Sequence, residues 1–261
     1  YKHLVILQIG GTPDCCVVAL DRLTGKEVWR ALKDRASYSA PIMIEQGGKQ
    51  VIVVWTGDNL VGLDPLTGRV YWKLPFKPSR MVIGVATPIV RNNRLFVSSF
   101  FDGAMMVDLD PSKPAASLAW TSTGPDERNT ESLHSLISTP IWLGDHIYGI
   151  DSYGELRCIR AKDGKRVWSD TTAVRKARWS TAHFIEHYDK VWIFNEEGEL
   201  ILAKLSPKGF EVLSRSFLIE PTRDQLNRRG GVTWSHPAFA NGHVFIRNDR
   251  RLIAVDLRKK K

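Results

Sequence analysis

Chemistry in this chain would have to come from a few side chains in its non-repeating segments. His134, Arg178, Trp179, His183, Arg228, Arg229, Trp234 and His236 all lie near the starts of apolar strands. His183 and His236 take nearby positions in successive repeats, so both could face one channel. Arg178-Trp179 and Arg228-Arg229 suit an anionic or carbohydrate-like ligand, because a guanidinium makes bidentate hydrogen bonds and stacks on rings. The simpler reading is that the histidines hydrogen-bond strand ends and that the arginines form solvated loops. A transition-metal centre needs three or four converging donors. The spacing shows no such convergence, so no metal is assigned. The chain also has no Gly-x-Ser-x-Gly elbow, no phosphate-binding P-loop and no His-Glu-x-x-His helix.

The elements that must position these residues are short. Runs such as Val51-Ile52-Val53-Val54-Trp55, Leu95-Phe96-Val97 and Val191-Trp192-Ile193-Phe194 are bounded by Gly, Asn and Asp. No long 3.6-residue periodicity competes with them, so the chain reads as all-β. No stretch approaches the roughly 18 apolar residues of a membrane span. Net charge is +9, but the dense basic run is Arg258-Lys259-Lys260-Lys261, read as a solvated tail, so no nucleic-acid partner is expected. Cys15, Cys16 and Cys158 are too few for a disulfide framework.

One phrase recurs six times: a strand, an Asp or its substitute, a tight turn, then a Trp or its substitute. The clearest copies run from Ala19 through Asp21, Thr24 and Gly25 to Trp29, and from Gly62 through Asp64, Thr67 and Gly68 to Trp72. Weaker copies end at Trp120, after two extra turn residues, and at Trp168, after Gly164. The fifth copy, Leu205 to Gly209, puts Leu213 at the Trp position, and the sixth stops at Asp256-Leu257. The tryptophans are 43, 48 and 48 residues apart, which fits one four-stranded propeller blade per repeat. Strands A to D follow in order within each blade. Strand A opens at Ser39-Ala40-Pro41, Ala86-Thr87-Pro88, Ser138-Thr139-Pro140, Ser180-Thr181-Ala182-His183 and Ser235-His236-Pro237. Proline is tolerated at a strand's first residue, where no ladder donor is lost.

The phrase Ala-x-Asp-x-x-Thr-Gly-Lys-x-x-Trp resembles the tryptophan-docking motif of the PQQ-like (quinoprotein and BamB-type) β-propeller superfamily. Residues 19–29 match it at every defined position, and residues 62–72 depart only at Gly62 and Arg69. In weaker form the resemblance covers the whole chain, which looks most like exported bacterial members. It implies a four-stranded-blade β-propeller of about six blade-equivalents from a ring of seven or eight. Residues 1–261 form one such domain, with incomplete first and last blades and further blades expected upstream. In that superfamily the Trp packs between blades, so Trp29, Trp72, Trp120 and Trp168, with Gly25, Gly68 and Gly164, are expected to be structural.

The resemblance also frames function. The D–A and B–C connections share one end of the blades. The D–A loops are the most variable, notably 121–134 and 219–231, so binding is expected there. A noncatalytic binding or scaffold propeller is expected, periplasmic or at the cell surface, holding a protein, a glycan or a small anionic ligand without a cofactor. The alternative is a PQQ-dependent alcohol dehydrogenase with calcium. Asp102, Asp151 and Asn195 could supply oxygens for the ion, although they also suit turn stabilisation. Quinoprotein dehydrogenases often carry a vicinal disulfide over the cofactor. Here Cys15-Cys16 opens a C strand, where adjacent residues point to opposite faces, so two independent buried thiols are expected.

Overall fold

The structure, a computed structural model, describes residues 1–11, 14–224 and 230–258. Among them are twenty-two strands and no helix. Every sheet is an antiparallel meander in which neighbouring strands follow one another in sequence. The chain divides into two compact units. The first comprises Tyr1–Ile137 with the turn Ala161–Lys165, and the second Ser138–Arg160 with Arg166–Lys261.

In the first unit, β1 (Leu4–Gln8), β2 (Val17–Asp21) and β3 (Glu27–Ala31) form a three-stranded sheet. The next sheet is β4 (Ile42–Gln46), β5 (Lys49–Trp55), β6 (Asn59–Leu63) and β7 (Val70–Pro75). The third is β8 (Ile89–Arg91), β9 (Arg94–Ser99), β10 (Gly103–Leu109) and β11 (Ala116–Ser122). Two apolar layers hold them. Leu4, Val17, Ile52, Val54 and Val61 join the first two sheets, and Val53, Leu60, Leu95, Val97 and Met105 join the second and third.

The second unit carries β12 (Ile141–Leu143), β13 (His146–Ile150), β14 (Leu156–Arg160) and β15 (Arg166–Asp170). A further four-stranded sheet is β16 (Ala182–His187), β17 (Lys190–Asn195), β18 (Glu199–Ser206) and β19 (Gly209–Phe217). The last is β20 (Ala238–Ala240), β21 (His243–Arg247) and β22 (Leu252–Asp256). Ile150, Leu156, Val191 and Ile193 share one layer, and Phe194, Leu200, Val244 and Ile246 another. The central strands of the second and fifth sheets are apolar on both faces because each of those sheets packs against a neighbour on either side.

One cross-strand row organises every sheet. In the second sheet it reads Ile42, Val53, Gly62, Trp72; in the third, Ile89, Phe96, Met106, Trp120; in the fourth, Ile141, Tyr148, Cys158, Trp168. A β-bulge follows directly. One extra residue (Val28, Tyr71, Ala119 or Val167) sits just before the Trp, unopposed by the C strand. Such a bulge re-aims the neighbouring side chain, here an indole laid across its own sheet. Gly62, a departure from the repeated Ala, follows from this: a Cβ there would collide with the ring of Trp72.

The fifth sheet corrects one assignment. Its row is Ile185, Trp192, Leu202, Ser214, and Leu213 is the bulge residue. Ser214, not Leu213, therefore stands at the Trp position, because a count from the turn slips by one where the strand is longer.

The indoles reach the next sheet's C–D turn. Trp29 Nε1 donates to Pro65 O at 3.2 Å, Trp120 Nε1 to Ala161 O at 3.0 Å and Trp168 Nε1 to Ser206 O at 2.9 Å. Pro65 and Ala161 each follow the turn's Asp position, whereas Ser206 lies one residue further on, at the end of the lengthened β18. Trp72 departs from this pattern. Its Nε1 donates to Gln46 Oε1 at 3.0 Å, and Gln46 Nε2 donates onward to Ala115 O at 2.5 Å, across the enlarged turn of the third sheet.

Gly25 and Gly68 close equivalent turns at φ +69° and +72°. A Cβ at Gly68 would lie 2.6 Å from the Trp29 ring, whereas one at Gly25 meets nothing within 4 Å. Gly25→Ala is expected to cost only the left-handed strain, about 1–2 kcal/mol. Gly68→Ala adds overpacking and is expected to cost about 2–5 kcal/mol in all. Urea unfolding of the two variants checks the difference.

Candidate functional site

The B–C turns and the loops entering the sheets are joined by carboxylates. Asp58 accepts from Arg35 N at 2.9 Å and from its Nη2 at 2.6 Å. Asp102 Oδ1 accepts from Ser79 N at 2.6 Å. Glu197 accepts from Arg175 N at 2.9 Å, and Asp249 accepts from the Thr222 hydroxyl. In each case a turn acid tethers the loop that leads into its own sheet. In the fourth sheet Asp151 instead meets Arg157 at 2.9 Å, both only 3% exposed, and Arg157 also reaches Glu155 at 2.6 Å.

The densest cluster lies in the second unit, where β16 and the segment before β20 approach. His183 Nε2 donates to Trp234 O at 3.0 Å; a carbonyl only accepts, so Nε2 carries the proton. Nδ1 is buried without a hydrogen-bond partner among the described residues. The ring of His236 lies against His183, centroids 3.8 Å apart and planes 38° apart. Trp234 Nε1 donates to Glu196 Oε2 at 2.9 Å, and Arg175 Nε pairs with Glu196 Oε1 at 2.9 Å. Glu196 is fully buried, so its charge depends on Arg175, Trp234 and Ser180. Arg175 Nη2 also donates to Gly231 O at 3.0 Å, tying the loop before β20 to the same group.

Among the candidates, His183, Trp234 and His236 are thus brought together. Arg178 lies over the ring of its neighbour Trp179, 4.7 Å from the centroid, and Trp179 N is anchored to Ser152 O at 3.0 Å. His134 lies in the first unit, buried, with Nδ1 on Phe100 O at 3.1 Å. Arg228 and Arg229 fall outside the described residues. Arg175 and Glu196 escaped sequence reasoning. Glu196-Glu197 in a tight B–C turn was the visible signal, since two adjacent carboxylates there need cationic partners.

The electrostatics favour holding over reacting. Burial first, then the neighbouring His236, push His183 down to about 4. Burial, reinforced by Asp34 and Asp58, pushes the Cys16 thiol up to about 12, and burial raises Cys158 to about 11. Such thiols stay protonated and inert near neutral pH. Cys15 and Cys16 are not joined in a disulfide, and Cys15 is half-exposed rather than buried, with Arg30 Nη1 3.3 Å from its sulfur. Among the described residues no three His, Cys, Asp or Glu side chains group as a metal site requires.

The oxygens considered for a calcium-bound quinone do not fit one. Asp102 and Asp151 are held by Ser79 and Arg157. Asn195 Oδ1 accepts from Glu197 N and Glu199 N, while its Nδ2 donates to Ala173 O and Glu199. Recruiting any of them would open a loop tether or leave Arg157 buried without Asp151.

Because His183 titrates below its ordinary value of 6.5, the unfolded chain takes up a proton between pH 6.5 and 4 that the folded chain refuses. Stability is expected to fall by about 3 kcal/mol as pH drops through that window. His183→Gln is expected to remove that part of the slope, checked by urea unfolding at stepped pH.

Comparison with known proteins agrees with this architecture. BamB from Moraxella catarrhalis is similar over 97% of this chain and 69% of its own, with TM-score 0.65 and 13% identity. The computationally designed protein Ika8 is similar over 98% and 69%, with TM-score 0.61 and 10% identity. The quinohemoprotein alcohol dehydrogenase of Comamonas testosteroni is similar over 94% and 50%, with TM-score 0.55 and 12% identity. At such identities the likeness shows the fold alone, a β-propeller. No curated protein matches the chain in sequence. Residues 14–261 match the family described as "Outer membrane protein assembly factor BamB", PQQ_2, and the chain belongs to that family.

Proposed function

We propose that the chain is a noncatalytic binding propeller, exported to the periplasm or cell surface, whose D–A and B–C loops hold a partner protein. The observation that carries this reading is how the strand-end side chains are used. The acids and buried histidines hold loops in place, and the groups left facing outward are suited to adhesion. Tyr38 is 74% exposed and Met81 58% exposed in two D–A loops, and the guanidinium of Arg178 is exposed over Trp179 in a third. Exposed aromatics, Met and Arg are enriched where proteins meet, and Arg over a ring also suits an acidic or glycan-bearing surface. Tethering keeps these loops preorganised, which lowers the ordering cost of binding. On this reading Trp29, Trp72, Trp120 and Trp168 fasten sheets and touch no ligand.

A photoreactive benzoylphenylalanine at Tyr38, Met81 or Arg178 is expected to give adducts of one defined mass in the source cell. The same group at Leu23, in a C–D turn, is expected to give none. Adducts from Leu23 alone, or none from any loop position, contradict the proposal. PQQ with calcium is expected to leave the absorbance spectrum unchanged and support no dye-linked alcohol oxidation. Saturable quinone binding with turnover overturns the noncatalytic reading in favour of a quinoprotein dehydrogenase.

A further inference from the structure

The fifth sheet lacks the indole that the earlier sheets place against their neighbours. Ser214 stands at that position and is exposed, as is most of β19. In the third and fourth sheets the B-strand ring of the row, Phe96 or Tyr148, lies beside the D-strand indole, centroids 6.0 and 5.9 Å apart. In the fifth sheet the B-strand ring is Trp192, stacked on Phe239 of the next sheet at 6.2 Å, with no D-strand ring beside it. A cavity of about 370 Å³ opens there, lined by Ile185, Trp192, Phe239, Gly242, Leu257 and Arg258 among others.

The acceptor side is also present. Leu257 follows Asp256 as Pro65 follows Asp64, in the position whose carbonyl receives Trp29 and Trp120 elsewhere. Leu257 N is fixed to Gly242 O at 2.8 Å, which holds Leu257 in place, and among the described residues no group donates to its carbonyl. Arg258 is clamped on Asp256 at 2.8 Å at the cavity rim, where its guanidinium can cover a ring face.

We infer that this cavity is a docking slot for a tryptophan side chain supplied by a partner polypeptide. The ring would lie between Trp192 and the Leu257 turn, and its N–H would donate to Leu257 O. The chain itself argues for that occupant, since the equivalent carbonyls of Pro65 and Ala161 already hold an indole and that of Ser206 holds a third from a tighter turn. The volume falls within the ~300–1,000 Å³ of ligand-holding clefts. The slot lies at the A–B and C–D ends of the strands and is independent of the D–A loops.

The test titrates the full chain with N-acetyl-L-tryptophanamide, read by backbone amide shifts, with N-acetyl-L-leucinamide as control. Saturable shifts confined to Ala240–His243, Trp192 and Leu257 are expected, with no saturation by the leucine compound. Ser214→Trp is expected to fill the slot from within, raising Tm by roughly 2–4 °C or more and weakening the probe about tenfold or more. A wild-type titration without saturation overturns the inference. So does equal binding of both probes, or a folded S214W that binds the probe as wild type does. The wild-type titration decides alone if S214W does not fold.

Discussion

The architecture depends on one contact, the indole laid across its own sheet and hydrogen-bonded to the next sheet's turn. A blade with apolar residues on both faces is insoluble alone and must be covered twice. Shape complementarity between two β-sheets is not unique, because sheets can slide. The indole removes that freedom. At Trp72 the ring lies so close to its own C strand that a Cβ on Gly62 would collide with it, and each docking N–H finds one oxygen acceptor at about 3 Å. Burying such a ring removes some 150–250 Å² from water, an upper bound of about 4–6 kcal/mol per joint. Trp29 and Trp72, only 8% and 6% exposed, come nearest to that bound. The bulge beside each Trp is part of the same device, since without the extra residue the side chain would project from the other face.

A second, polar layer acts at the far strand ends. Each entering loop carries backbone donors that the sheet cannot satisfy, and a turn carboxylate meets them. Asp58, Asp102 and Glu197 serve three sheets in this way, and in a fourth Asp249 accepts from the Thr222 hydroxyl of the entering loop. In the second unit the arrangement extends through Arg175, Glu196 and Trp234 to His183. These carboxylates are therefore engaged in hydrogen bonds that hold the loops in place. On the proposed reading the outward groups bind by area and charge, as Arg178 over Trp179 would.

Much of this was legible in the residues because it is local or repeated. The Asp-Thr-Gly-Trp phrase located the blades, and the turn-and-proline punctuation located the strands. Gly62 looked like decay of the motif until the register placed Trp72 on top of it. Leu213 was assigned to the Trp position by counting, yet pairing in the lengthened β18–β19 hairpin moves that role to Ser214. Gln46 standing in for a turn carbonyl was invisible, because it compensates for an insertion some 64 residues away. The Arg175–Glu196 pair was equally hidden, 21 residues apart with no periodic signal. Residues governed by the repeat could be read from spacing, whereas those governed by irregular loops required coordinates.

The central claim is that the indole hydrogen bonds to the next sheet's turn, made directly or, for Trp72, through Gln46, are the joints on which cooperative stability rests. Hydrogen exchange of the nine tryptophan indole N–H groups, followed by NMR, tests it most directly. The account predicts that Trp29, Trp72, Trp120 and Trp168 exchange only through unfolding of the unit that contains each. Their protection should match that of the central-strand amides. The Trp192 indole, for which no N–H acceptor is found among the described residues, should exchange much faster. Exchange of the four docking indoles at the rate of Trp192, with the central strands still protected, would contradict it.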